Sequence, residues 1–234
     1  MIIAQLSDPH IIAPGMLFRA PVGATADGKR VSRDIDTAAH LGRAVAAINA
    51  LVPRPDIAVL TGDLVDHGAP EEYDHLQSIL APLAMPVFVI PGNHDVRAPL
   101  RAAFRDAGYL PRDGFLHYPI DDYPVRLIGL DTLVPDKHFG ALCGERLGWL
   151  DAALAAQPNR PTVILMHHPP FATGIDFMDR DRFDGAAAFA AIIARHGQVE
   201  RILCGHLHRA IDRRFAGTVA GTAPEHRPPD PSRP

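Results

Sequence analysis

Residues 87–95 read Val-Phe-Val-Ile-Pro-Gly-Asn-His-Asp. Four apolar residues, three of them β-branched, are too few for a buried helix and suit a strand covered on both faces. The run stops at Pro91-Gly92, and Asn93, His94 and Asp95 follow at once. The same shape recurs along the chain. Ile2–Ser7 runs into Asp8-Pro9-His10, Ile57–Thr61 into Gly62-Asp63, and Thr162–Met166 into His167-His168-Pro169-Pro170. Arg201–Cys204 runs into Gly205-His206-Leu207-His208, and Val125–Leu130 is a sixth strand.

Amphipathic stretches separate these runs. Thr37–Leu51 places Leu41, Val45, Ile48 and Leu51 on one helical face. Glu71–Leu83 follows Pro70, with two carboxylates in its first turn, at the positive end of the helix dipole. Gly144–Ala156 and Ala186–His196 carry similar apolar stripes. Alternating strands and helices predict an α/β layered fold. Pro111–Asp131 is rich in turn residues and suits an antiparallel hairpin. The expected architecture is therefore a mixed sheet or a two-sheet sandwich flanked by helices. Ile11–Ile35 has no clear period and reads as a long loop, functional or disordered.

Composition narrows the class. The 234 residues suit one domain, 47% hydrophobic and 21% charged, as in ordinary globular proteins. The net charge of −4 argues against a nucleic-acid surface, and no apolar run is long enough to span a bilayer. The N-terminus lacks a signal-peptide pattern, and two cysteines make no disulfide framework, so a reduced cytoplasmic protein is expected. Thirteen histidines require a reason. The domain is expected to span residues 1–223, and the Pro-rich stretch 224–234 to be a disordered tail.

Five strands thus end in Asp, Asn or His. In open α/β sheets the carboxyl ends of strands gather on one rim, where ligands bind. The donors are oxygen and imidazole nitrogen with no thiolate, which excludes a finger-type structural zinc site. Such mixed donors suit Zn, Fe, Mn, Ni or Co. There are more of them than one ion needs. Seven ligands, one of them a bridging Asp, serve two metals and leave positions for water and substrate. Two ions roughly 3.5–4 Å apart form a clamp for phosphoryl displacement. Gly62, Gly92 and Gly205 each precede a donor, where a close backbone approach or a positive φ is expected.

The strings LSDPH, TGDLVDHGAPEEY, IPGNHD, MHHPP and CGHLH resemble those of the calcineurin-like metallophosphoesterase superfamily. In detail they are similar to its bacterial class III cyclic-nucleotide phosphodiesterase branch, which includes glycerophosphodiesterases. The resemblance runs through Ala223 and implies a metallophosphoesterase-type β-sandwich. It implies that Asp8, His10 and His208 bind one metal, that Asn93, His167 and His206 bind another, and that Asp63 bridges them. The metals are two divalent or trivalent transition ions, Fe, Mn, Zn or Co. A hydroxide held by them is the nucleophile, His94 contacts the phosphate and assists the leaving oxygen, and Asp95 orients His94. The substrate is a small-molecule phosphodiester, foremost a 3′,5′-cyclic nucleotide opened to a nucleoside 5′-monophosphate. Glycerophosphodiesters or a broad range of diesters come second. The resemblance also allows a homodimer, with neither nucleic acid nor membrane as partner. Relatives continue further past Gly-His-x-His than this chain does, and His226 is left outside the site.

Ordinary readings compete at each position. An isolated Asp after a strand caps a turn, and Asn tolerates a left-handed backbone. Those readings must hold at five strand ends independently, which is why the metal reading is preferred. His168 is expected to position rather than ligate, and Cys204 to be a small core residue. His40 and His75 are expected to be solvated, His67 to be a loop histidine, and Arg19, Lys29, Arg30 and Arg33 to face water for the most part. A catalytically silent scaffold is the alternative from another class, and the complete donor set argues against it. A nuclease is disfavoured by the acidic balance.

Overall fold

Each strand predicted from an apolar run forms within two residues of its expected bounds. In a computed structural model, residues 1–24, 30–180 and 183–224 are described. The order is β1 (Ile3–Leu6), β2 (Phe18–Ala24), β3 (Arg30–Ile35), α1 (Thr37–Asn49), β4 (Ile57–Thr61), α2 (Pro70–Leu80) and β5 (Val87–Ile90). Then come α3 (Arg97–Ala103), β6 (Tyr118–Ile120), β7 (Arg126–Gly129), α4 (Gly144–Ala155), β8 (Thr162–Leu165) and α5 (Ala186–Arg195). The described chain closes with β9 (Val199–Cys204), β10 (Ile211–Phe215) and β11 (Thr218–Thr222).

The strands form two main sheets. One is parallel, in the order β1-β4-β5; the other is six-stranded and mixed, in the order β10-β11-β9-β8-β7-β6. Strands β7, β8 and β9 run parallel, so each sheet carries a βαβ-type core. The expected hairpin within Pro111–Asp131 is the antiparallel pair β6–β7.

Period-two alternation explains the layers. In β4, Ile57 and Val59 face one side with Phe88 and Ile90, and meet Tyr118, Leu127, Val163 and Leu165 of the second sheet. Ala58 and Leu60 face the other side and pack with Leu41, Val45 and Leu76 from α1 and α2. In β8, Ile164 turns outward onto Leu150 and Leu154 of α4 and Phe189 of α5. The result is four layers: helices, sheet, sheet, helices. Strands covered on both faces need no polar side, which is why their sequences are apolar throughout.

Some expectations are corrected. Ile11–Ile35 is not a loop along its length. It contains the β2–β3 hairpin, paired from Phe18–Ile35 to Ala24–Arg30 with a shift between Pro21 and Gly23. Its two strands pair with each other, and among its described side chains Arg19, Ser32, Arg33 and Asp34 are exposed. The side chains of Lys29 and Arg30 are outside the described residues, as are residues 225–234, His226 among them. Helix α2 ends at Leu80, short of Leu83, because Pro82 has no amide hydrogen to continue the ladder. Helix α3 was not anticipated: seven residues with Pro99 among them leave little periodic signal.

A buried ion pair ties α3 to the second sheet. Asp131, just beyond β7, receives Arg97 Nε at 2.6 Å and Nη2 at 2.8 Å, and the amides of Leu116 and Leu133. The Asp131 amide donates in turn to His117 Nδ1 at 3.0 Å, and the His117 ring stacks on Trp149. His117 is therefore a neutral acceptor. Burial, together with Arg146 and Arg97, pushes its pKa down to about 4 against the pull of Asp131. An unfolded histidine titrates near 6.5. Between those values the unfolded chain takes up a proton that the folded chain refuses, so stability is full above about pH 6.5 and falls toward pH 4. The difference corresponds to about 3 kcal/mol. The variant His117→Gln keeps an acceptor but does not titrate. We expect its melting temperature to fall less steeply from pH 6.5 to pH 4 than that of the parent chain. An unchanged slope would place the acid sensitivity elsewhere.

Candidate metal centre

The carboxyl ends of β1, β4, β5, β8 and β9 converge where the two sheets meet. Main-chain hydrogen bonds continue past the strands: Asp8 N–H donates to Gly62 O at 3.1 Å and His10 N–H to Asp63 O at 3.0 Å. Other bonds cross between sheets. The His206 amide donates to both Asp8 carboxylate oxygens, at 3.0 and 3.1 Å, and Gln5 Nε2 donates to Cys204 O.

Seven side chains predicted as ligands come together here. Asp8, His10 and His208 present donor atoms within 4.8 Å of one another, and so do Asp8, Asp63 and His167. His167 Nε2 lies 3.1 Å from Asn93 Oδ1 and shares a second cluster with His206 and His168. One oxygen reaches both groups. Asp63 Oδ2 is 3.6 Å from His10 Nε2 and 3.4 Å from His167 Nε2.

Backbone geometry is unusual at these residues. Asp8, His10, Asp63, His206 and His208 all have φ between 43° and 73°. Non-glycine residues seldom adopt that region, and holding them there costs energy that the surrounding structure must supply. Asn93 is not among them, so the ordinary reading of it as a left-handed turn residue does not hold. Two glycines make room. Gly62 has φ +89°, and a Cβ there would overlap the His167 ring; a Cβ on Gly92 would overlap the Asp63 amide and carboxylate.

The hydrogen bonds fix which ring nitrogens are available. His167 Nδ1 donates to Thr61 O at 2.8 Å, and His10 Nδ1 faces Asp66 Oδ1 at 3.2 Å. Both rings thus turn Nε2 toward the centre, the arrangement by which carboxylate and carbonyl partners orient metal-ligating imidazoles. His10 Nε2 and His208 Nε2 face each other across 3.3 Å.

Electrostatics point the same way. Burial raises the Asp8 carboxyl above its ordinary value. Burial would raise Asp63 as well, but His167, His10 and His94 hold it well below. Burial would lower His167, yet Asp63 and Asp8 lift it to about 9, while burial and His167 itself press His206 down to about 3. Two buried carboxylates therefore favour positive charge between them, and the neighbouring imidazole stays neutral with its lone pair free. This donor set fits a cation.

His94 stands at the mouth. Its Nδ1 lies 2.8 Å from Asp66 O and 3.2 Å from Asp66 Oδ1, its backbone amide donates to Asp63 Oδ1 at 2.9 Å, and its ring meets His10 edge-on. Burial would lower its pKa, but Asp66 and Asp63 raise it to about 9. The expected link from Asp95 to His94 is corrected. Asp95 is buried and accepts from Gly92 N–H, Leu64 N–H and Tyr73 O–H, so its carboxylate braces two strand-end turns instead. Burial and Asp63 raise it to about 7. The residue that faces His94 is Asp66, three positions beyond Asp63, and an Asp-x-x-Asp spacing was its only trace in the sequence.

The remaining histidines sort as follows. His168 is buried behind His167 and His206, its Nδ1 2.8 Å from Thr132 Oγ1. His67 is largely exposed, as a loop residue should be, and contacts Glu72 at 2.9 Å. His40 and His75 are half-buried rather than solvated, and His75 Nδ1 donates to Ile12 O. Cys204 is fully buried, its thiol pushed up by burial, in keeping with a core role. Among the described residues no helix is long and apolar enough to cross a membrane.

Comparison with known proteins places this geometry. Residues 1–210 match the family model described as calcineurin-like phosphoesterase. A probable glycerophosphodiester phosphodiesterase from Arcobacter nitrofigilis is 34% identical over 210 residues, covering 89% of this chain and 72% of the relative. A probable cyclic nucleotide phosphodiesterase from Rhodopseudomonas palustris is 39% identical over 193 residues, covering 80% and 68%. The fold is similar to that of a dimetal phosphatase from Danio rerio, with a TM-score of 0.73 at 16% identity, covering 97% of this chain and 88% of that one. The chain belongs to the calcineurin-like phosphoesterase family, a membership that implies divalent metal ions, and its His/Asp clusters fit them.

Proposed function

We propose that the chain is a metal-dependent phosphodiesterase whose domain spans residues 1–223. Asp8, His10 and His208 hold one ion, Asn93, His167 and His206 hold a second, and Asp63 is shared. The ions are Fe, Mn, Zn or Co. The observation that carries the reading is the position of Asp63 Oδ2, within 3.6 Å of one ring from each group. When bound, such ions supply Lewis acidity toward a phosphoryl oxygen and toward water.

The protein side chains do the rest. His94 keeps Nδ1 on the Asp66 carbonyl, which leaves Nε2 to hold a proton at the mouth of the site. As one phosphorus–oxygen ester bond breaks and the oxygen of water joins phosphorus, that proton passes to the departing oxygen. Asp66 positions both His94 and His10. The cleft in front of His94, about 780 Å³, is lined by the cations Arg97 and Lys137 and by His138 as well as by Asp66, Asp95 and Asp136.

The substrate is a 3′,5′-cyclic nucleotide, opened to a nucleoside 5′-monophosphate. Relatives named for that activity support this, including a 3′,5′-cyclic-nucleotide phosphodiesterase from Nostoc at 30% identity over 211 residues. Glycerophosphodiesters are the second reading, favoured by the relatives from Arcobacter nitrofigilis and from Enterobacter lignolyticus, the latter 32% identical over 228 residues.

Turnover by Mn-loaded protein of cAMP, glycerophosphoethanolamine, an aryl diester and the matching monoester, each with a chelated control, tests both readings. Chelator-sensitive turnover with cAMP preferred is expected. Preference for glycerophosphoethanolamine would exchange the two substrates, and no turnover of any diester would reject the enzyme reading. His94→Ala should lower kcat by about 10²–10⁴-fold, the usual contribution of a general acid, while the metal content measured by elemental analysis stays near that of the parent. Asp63→Asn should lower both together. Loss of metal from His94→Ala would reverse the division between ligand and acid. In metal-free protein, Asp66→Asn should bring the His94 pKa, read by NMR of the ring, down from about 9 toward the unperturbed value of about 6.5. A His94 titration that does not move would show that Asp66 is not the cause of its elevation.

A further inference from the structure

A second cavity, of about 380 Å³, shares none of its described lining residues with the His94 cleft. Its inner wall includes His168 and His206, so it is continuous with the metal centre. The rest of its wall is mostly apolar, with three phenyl rings, Phe139, Phe171 and Phe183, and the thioether of Met178. Phe171 and Phe183 also pack against the core of the second sheet. Phe139 and Met178 belong to none of the three hydrophobic cores, although both are half-buried. Next to Met178, Phe177 leaves its side chain 64% exposed. Large apolar groups with no core to fill are costly to leave facing water.

The walls are held in place. Asp184 N–H donates to Gly140 O and Leu142 N–H to Asp184 O, both at 2.9 Å, which clamps the Phe139 side to the Phe183 side. Asp179 and Thr173 also line the cavity; the Asp179 carboxylate accepts from Thr173 N–H, Thr173 Oγ1–H and Gly174 N–H at 2.8–2.9 Å, bracing the loop that carries Met178. The loop after β7 divides the two spaces. Lys137 and His138 border the polar cleft, and Phe139 and Gly140 border the apolar cavity.

We propose that this cavity is a subsite for the aromatic base of a nucleotide, and that Phe139 and Met178 are specificity-determining residues. The inference rests on the phosphodiesterase reading and deepens it. A planar base offers π-faces to phenyl rings and a thioether. A glycerol group is small and polar and leaves such a cavity unfilled. The cavity thus separates two substrate classes that the metal centre treats alike.

The test isolates the base. AMP and ribose 5-phosphate differ only in that group, and their affinities for the Mn-loaded full chain can be measured by calorimetry without turnover. AMP should bind at least tenfold more tightly than ribose 5-phosphate. In the double variant Phe139→Ser/Met178→Ser the ratio should fall below threefold, and the ratio of kcat/KM for cAMP over glycerophosphoethanolamine should fall with it. Circular dichroism checks folding, and Met178→Ser alone replaces the double variant if that one melts early. Equal affinities in the parent chain, or a preference for AMP that survives in the variant, would overturn the proposal. Failure of the phosphodiesterase reading shows separately, as absence of diester turnover, and leaves the affinity ratio to decide the subsite.

Discussion

The Asp63 carboxylate sits 2% exposed at the seam of two sheets, with imidazoles from different layers on either side. A buried carboxylate without compensation is costly, so its surroundings must supply positive charge or hydrogen bonds. His10 arrives from β1, His167 from β8, and the His94 amide from the turn after β5. None of these elements could shift by much without stranding that charge. The cross-sheet bonds from His206 to Asp8 and from His167 to Thr61 hold the same seam from the backbone side.

Strain gathers where the chemistry is proposed. Five of the seven proposed ligands sit at positive φ, and four of them, Asp8, His10, His206 and His208, fall in just two turns. Such turns reverse the side-chain direction within one or two residues, which lets Asp8 and His10, two positions apart, face one point. Layered cores beneath, each closed by alternating apolar strands, supply the rigidity that keeps these conformations populated. The hub around Asp131 serves the opposite wall, fixing α3 and the loop that follows β7.

That loop gives the site two unlike sides. Lys137 and His138 border the polar cleft before His94, and Phe139 lies on the apolar side beside His206. Relatives of similar identity are named for different substrates, a glycerophosphodiester in one and a cyclic nucleotide in another. On the proposed reading, the choice between such substrates falls to the residues beyond the phosphate, and these differ between the two spaces.

Much of this was legible in the residue order. Apolar runs such as Val87–Ile90 and Thr162–Leu165 are local signals, because a strand buried on both faces must be apolar along its length. Polar residues placed just past such runs emerge at one edge, and the family resemblance names the proposed donors among them, from Asp8 to His208. Other features depended on contacts between distant segments. Asp95 was expected to orient His94, yet the turn geometry after β5 points its carboxylate at Leu64 and Tyr73, and Asp66 faces the ring from another strand end. The β2–β3 ribbon escaped notice because its strands pair with each other in a separate two-stranded sheet and the stretch shows no clear hydrophobic period. The apolar cavity draws on residues 139, 171, 178 and 183, which share no period and meet only when two loops are clamped together. The sequence alone determined the layers and brought the proposed donors to one rim, because burial and chain direction act locally. Tertiary structure decided which groups face His94 and what lines the spaces around the proposed metal centre, because those depend on through-space distances between separate turns.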